Sequence, residues 1–330
     1  MPFCALRKPR KCIRYNLDLA ARAPQGYACP MTQNTPKNED SLSGFFYALS
    51  AYVLWGFLPL YMKALAHVPP TEVIAHRVLW SLPIAAVVLL AQGRTADLKR
   101  ALRTPSMLGM AAVAAILISV NWGFYIWAIG AGHALDAALG YYINPLFSIL
   151  LGAFILKERL SPLQKAAVAL AAIAVIVLTI GAGRLPVVAL ALTFSWGFYA
   201  YLKKQLPIGP NQGFTLEVIL LTPFALGYVI YVQTTGTSHF LQGTATDTWL
   251  LLGCGVITAI PLMLYANGAK LLRLSTIGIM QYIAPTMIFL TAVFIFNEPF
   301  GIPRMIAFPM IWAALILYSI AMFRGRARKA

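Results

Sequence analysis

Charge is scarce in this sequence. Only 11% of its 330 residues are Asp, Glu, Lys or Arg, against 60% hydrophobic, where a soluble domain carries roughly 25% charged residues. That is too little polar surface to enclose a water-soluble core. Cysteine chemistry is also missing. Cys4, Cys12, Cys29 and Cys254 form no CxxC pair, which argues against a zinc or redox box. There is no GxxxxGK[ST] loop, which argues against an ATP-driven pump. HExxH, DxxxD and GxGD are missing too, so an intramembrane enzyme would have no recognisable metal box or aspartate pair. No metal and no cofactor is expected.

Apolar runs of about 20 residues, each long enough to span a bilayer as a helix, recur from residue 44 to residue 323. They are continuously apolar rather than alternating, which disfavours a β-barrel. The expected fold class is an all-α membrane protein with ten transmembrane helices. They fall at 44–66, 71–92, 105–129, 134–156, 162–182, 185–204, 213–235, 247–270, 274–296 and 302–323, with short connectors rich in Pro, Gly, Ser or charge.

The formal charge of +16 does not mark a nucleic-acid surface, because the basic residues collect in connectors and tails. On one side lie 22 of the 26, in the segment before the first helix, in 93–104, 157–165, 203–212 and 270–273, and after residue 323. The other four are Lys63, Arg77, Arg184 and Arg304. This asymmetry puts both termini in the cytoplasm and suits an even number of spans. Residues 1–43 read as a disordered basic cytoplasmic tail or an arm touching anionic lipid. They lack the central apolar region of a secretory signal, and Met31, opening MTQNTPKNEDSLSG, is a plausible alternative start. Residues 324–330 form a second basic cytoplasmic tail.

The chain repeats itself. A shift of 140 residues carries Tyr142, Ile143, Pro145, Phe154, Ile155 and Glu158 onto Tyr282, Ile283, Pro285, Phe294, Ile295 and Glu298, and Tyr125 onto Tyr265. A shift of 141 carries Trp55-Gly56-Phe57 onto Trp196-Gly197-Phe198. Two copies, 44–183 and 184–323, hold five helices each. Five is odd, so the second copy enters the membrane from the opposite side: a 5+5 inverted-topology repeat, an architecture recurrent among secondary transporters.

Several polar residues stand out against this background. Pro145 and Pro285 interrupt their helices and free the carbonyls of Tyr141 and Gln281. Each proline reads as a hinge beside a central cavity or as a tolerated packing kink. Glu158 and Glu298 read as interfacial structural carboxylates that hold basic neighbours or cap the next helix. Glu72 and His76, four apart on one helix face, can pair; with Glu217 they are the proton-coupling candidates. Arg77 reads as a ligand for a solute carboxylate, as a hold on a neighbouring helix, or as an arginine that snorkels to the interface. Asn121, Asn144, Asn267 and Gln281 either bind solute or join helices. Trp55, Trp122 and Trp196 read as cavity walls or as lipid-interface anchors. Trp55 and Trp196 lie near mid-helix, which weakens the anchor reading for them; with Tyr141 and Tyr265 these two complete the cavity candidates.

The segments AYVLWGFLPLYMK, AHRVLW, LGYYINPL, LRLSTIG and QYIAPT, together with the repeat, resemble the EamA type of the drug/metabolite transporter superfamily, within it the RarD branch, named for a chloramphenicol-sensitivity phenotype. The likeness covers about residues 41–323 and leaves out the N-terminal segment. It implies a multi-pass permease of the bacterial inner membrane that moves small polar or amphipathic organic solutes such as metabolites, amino acids or drugs. The expected partners are the lipid bilayer and a small solute, with no nucleic acid. A monomer is compatible with the sequence. Helix 1 lacks the carboxylate that small multidrug pumps use for cationic drug and proton, which weakens that analogy. The competing classes are a passive channel, for which a ring of charge or a filter loop would be expected, and an intramembrane enzyme.

Overall fold

The computed structural model describes residues 41–93, 95–155, 160–183, 185–272 and 280–327. The segment up to residue 40, Glu158 and the last three residues lie outside them. All regular structure among the described residues is helical. The elements are α1 (Leu42–Ala64), α2 (Pro70–Ala91), α3 (Thr95–Leu102), α4 (Pro105–Gly130), α5 (Ala134–Ile155), α6 (Pro162–Ala182), α7 (Val187–Gln205), α8 (Pro210–Thr234), α9 (Ala245–Leu271), α10 (Ile283–Leu290), which runs into a π-turn at Thr291–Ile295, and α11 (Ile302–Ala327).

Local chemistry sets many of the starts. Ser41 accepts a hydrogen bond from the Gly44 amide and opens α1. Ser161 and Gln164 form a reciprocal capping box on α6, with Pro162 in its first turn, where a missing N–H costs nothing. Thr244 and Asp247 do the same for α9.

Among the described residues seven helices, α1, α2, α4, α6, α8, α9 and α11, are long and apolar enough to cross a membrane. Their outward faces carry exposed Ile116, Ile180, Phe224 and Ile316. A water-soluble surface does not tolerate that much exposed apolar side chain; a bilayer does.

Three expectations are corrected. The connector 93–104 holds a helix, α3, in which Leu98 and Ala101 pack towards Met107 and Leu216 while Asp97, Lys99 and Arg100 occupy the other positions. The amphipathic spacing was present in the sequence but short. The ninth helix is not continuous: Gln281 and Tyr282 form a turn directly before α10, so Pro285 stands in a first turn, where proline is tolerated. The last helix continues to Ala327 rather than ending at 323. Proline is also less distinctive than expected. Pro59, Pro83, Pro223, Pro261 and Pro309 lie inside α1, α2, α8, α9 and α11, as Pro145 lies inside an unbroken α5.

The helices of the two halves interleave. α1 packs on α9 and α10, α7 packs on α4 and α5, α2 lies against α8, and α6 lies against α11. Two close approaches seat these contacts. A Cβ on Gly56 would collide with Met287, and one on Gly197 would collide with Phe147.

Polar contacts tie the helix ends in two groups. At one end the Ser41 amide bonds the Leu271 carbonyl and Asn211 bonds Gln92. At the other end His67 pairs with Asp247 at 2.8 Å, Arg304 pairs with Asp136 at 3.0 Å, and Glu298 accepts from the Ala134 and Leu135 amides at 2.6 and 2.9 Å.

Candidate functional site

Between α1, α2, α4, α5, α7, α9 and α10 lies a cavity of about 100 Å³. Eight of the ten expected cavity residues line it: Trp55, Arg77, Asn121, Tyr141, Asn144, Trp196, Tyr265 and Gln281. Its walls are aromatic. The Trp55 and Trp196 rings meet edge to face at 6.2 Å, and Tyr265 lies 5.5 Å from Trp55. Both of these tryptophans come from the repeated Trp-Gly-Phe, so each half contributes one to the same contact. Tyr52, Trp122, Tyr125 and Thr258 also line the cavity. The repeat pointed to Tyr125 through its match with Tyr265; nothing in the sequence around Thr258 marked it.

Arg77 stands about 10 Å along α2 from its first residue, and it does not snorkel. It is 3% exposed, its guanidinium lies 4.3 Å over the Trp122 ring, and Nε donates to Thr258 Oγ1 at 2.9 Å. A cation facing an indole gains quadrupole attraction, but Nη1 has no partner among the described residues.

The amides divide by their partners. Asn121 donates to the Leu192 carbonyl at 3.2 Å and to Ser195 at 3.0 Å and accepts from Tyr141, which joins α4 to α7 and α5. Asn144 Oδ1 has no partner among the described residues. Asn267 donates to Met263 in its own helix and does not line the cavity.

The expected Glu72–His76 pair does not form. Glu72, fully buried, accepts from Ser238, from the His239 and Phe240 amides and contacts His239 Nδ1. Loop 238–240 thus saturates both carboxylate oxygens, because its own buried amides need acceptors. His76 instead accepts from Trp80 at 3.0 Å, and its Nε2 has no partner among the described residues. Glu217 is held by Lys203 at 2.8 Å and by Tyr199 at 3.1 Å. None of these three lines the cavity.

Pro285 lines the cavity while Pro145 is buried beside it. Glu298 caps α5, a helix of the other half of the chain, rather than the helix that follows it. Carboxylates suit a helix N-terminus, where free amides and the dipole favour negative charge.

A larger groove, about 820 Å³, opens between α4, α6, α7 and the start of α11. Its ionisable residues are His133, Asp136 and Arg304, and they satisfy one another. It gathers none of the expected site residues, so the smaller cavity is the better candidate site.

An all-helical, lipid-facing bundle with a polar-aromatic cavity between its two halves is the arrangement of a membrane transporter. Residues 42–180 match the EamA-like transporter family. An uncharacterized transporter of Vibrio cholerae is 41% identical over 286 residues, covering 87% of this chain and 95% of its own. Protein RarD of Escherichia coli K12 is 39% identical over 275 residues, covering 83% and 93%. The chloramphenicol-sensitive protein RarD of Pseudomonas aeruginosa is 31% identical over 303 residues, covering 87% and 97%. One crystal structure superposes with a TM-score of 0.54 at 20% identity, over 84% of this chain and 96% of that one, which speaks to the fold alone. The chain belongs to the EamA-like transporter family, in its RarD branch, and is a multi-pass protein of the bacterial inner membrane.

Proposed function

We propose that this protein is a secondary transporter of small organic solutes, working by alternating access around the cavity walled by Trp55, Arg77, Trp196 and Tyr265. The observation that carries this is the cavity's composition: both halves supply its walls, and it combines aromatic faces with unpartnered polar atoms. Solute sites of this kind are largely apolar with a few convergent polar groups. At about 100 Å³ the cavity is smaller than typical ligand pockets of roughly 300 Å³ and more. It therefore has to widen for a solute to enter, as an occluded state does.

In this reading ten helices span the membrane as two inverted five-helix copies, with both termini cytoplasmic. The packing supports it. Under the repeat, α1 against α9 becomes α7 against α4, α1 against α10 becomes α7 against α5, and the pairs α2–α8 and α6–α11 map onto themselves. The break at Gln281–Tyr282, Pro285 in the cavity wall and the π-turn at Thr291–Ile295 make α10 the hinge element. Pro145 is its counterpart in the other copy.

Among the proton-coupling candidates Glu72 and Glu217 are engaged by partners, whereas His76 keeps one free buried nitrogen, so proton exchange is assigned to His76. The test is flux into sealed vesicles. Saturable, trans-stimulated uptake is expected, with pH dependence lost in His76→Ala. Non-saturable flow would favour a channel, and substrate turnover without transport an enzyme.

A further inference from the structure

Among the described residues, the cavity contains a cation without a counter-charge. No acidic residue among them lines it, and the ionisable groups they place around Arg77 are Tyr125, Tyr141 and Cys254, which carry no negative charge in their ordinary protonated forms. An arginine at membrane depth is costly unless paired. Among the described residues Arg77 has one neutral hydrogen bond and one ring face, and Nη1 stands free. The contrast with the rest of the molecule is informative. Lys203 and Arg304, each partly buried, both reach a carboxylate within 3.0 Å. Their counter-ions are built into the chain; the one for Arg77 is not, among the described residues.

We propose that the cavity binds a small amphipathic monocarboxylate or zwitterion, its carboxylate seated on the open edge of Arg77 and its apolar body against Trp55, Trp196 and Tyr265. This rests on the transporter reading and names its substrate class. A guanidinium presents parallel donors that match a carboxylate. Tyr125 OH, also without a partner among the described residues, adds a further donor near it. Asn144 Oδ1 is an open acceptor in the same wall, suited to an amine or hydroxyl on the solute. A single cation favours a monoanion over a phosphate dianion, half of whose charge would stay uncompensated in a low-dielectric site.

The test uses the full chain, purified in detergent and reconstituted in vesicles, with matched probes: phenylacetate against phenylacetamide, and phenylalanine against phenylalaninamide. Thermal stabilisation by at least one acid is expected, with its amide about tenfold weaker or worse. Arg77→Gln abolishes that discrimination, and Arg77→Lys, which keeps the charge but not the fork, retains part of it. Without ligand, Arg77→Gln melts no lower than wild type, because residues held for binding rather than stability are often removed without loss.

Equal response to acid and amide, no response to any acid, discrimination surviving in Arg77→Gln, or an Arg77→Gln chain that no longer folds would each overturn the proposal. Vesicle uptake separates the two readings. Amides carried as fast as acids defeat the anion site and leave the transporter standing; acids bound but never carried do the reverse.

Discussion

Glu72 shows how a single carboxylate in a membrane helix acquires its role. It sits in the first turn of α2, and one of its oxygens takes two backbone amides of the loop before α9. Removing it orphans buried donors, which costs more than the bonds themselves contribute. Glu72→Ala is expected to lower stability by about 3 kcal/mol, read as a drop in the melting midpoint in detergent and faster proteolysis near residues 235–244. Glu72→Gln, which keeps the accepting oxygen on the amide side, is expected to lose less. Arg77, five positions on, has the opposite character, since its bonding capacity is mostly unused.

At the scale of elements, the repeated Trp-Gly-Phe motif is a packing device. Its tryptophans face the cavity, while its glycines admit a side chain from the proline-bearing helix of the other half: Met287 on Gly56 and Phe147 on Gly197. Met287 and Phe147 are themselves 140 residues apart, so the same joint is built twice. Gly56→Ala and Gly197→Ala are each expected to destabilise by about 1–3 kcal/mol through overpacking. The combined variant should lose close to the sum if the two joints are independent, as measured by thermal unfolding. Glu298 works between elements as well, holding the start of α5 from the far side of the bundle.

For the whole molecule, the two groups of helix ends should lie on opposite faces of the membrane. Thr237 and Ala96 are both exposed, one beside the Glu72 loop and one on α3. With the four native cysteines replaced by alanine, Thr237→Cys is expected to react with a membrane-impermeant maleimide in intact cells. Ala96→Cys should react only after permeabilisation. Labelling of both sites from outside would break the inverted-repeat topology. The basic residues predict the same orientation independently, since α3 carries Lys99 and Arg100 and belongs on the cytoplasmic side.

The aromatic wall was legible because Trp55, Trp196 and Tyr265 stand in a repeated register. Arg77 was legible because charge is so rare in these apolar runs. The partners of the polar residues were not. Asn121 turned out to join three helices, Asn267 to bond its own helix, and Glu72 to hold a loop 166 residues away instead of His76. The short helix α3 and the broken entry to α10 were missed where the periodic signal was only a few residues long.

The sequence by itself determined the membrane class, the apolar runs, the self-similarity at a shift of 140 residues and the residues rare enough to matter. Those follow from composition and from spacing along one helix, which are local. Tertiary structure alone decided which polar atoms are satisfied and which are left open. A buried group takes whichever donor or acceptor the packed helices bring to it, and no spacing along the chain records that choice.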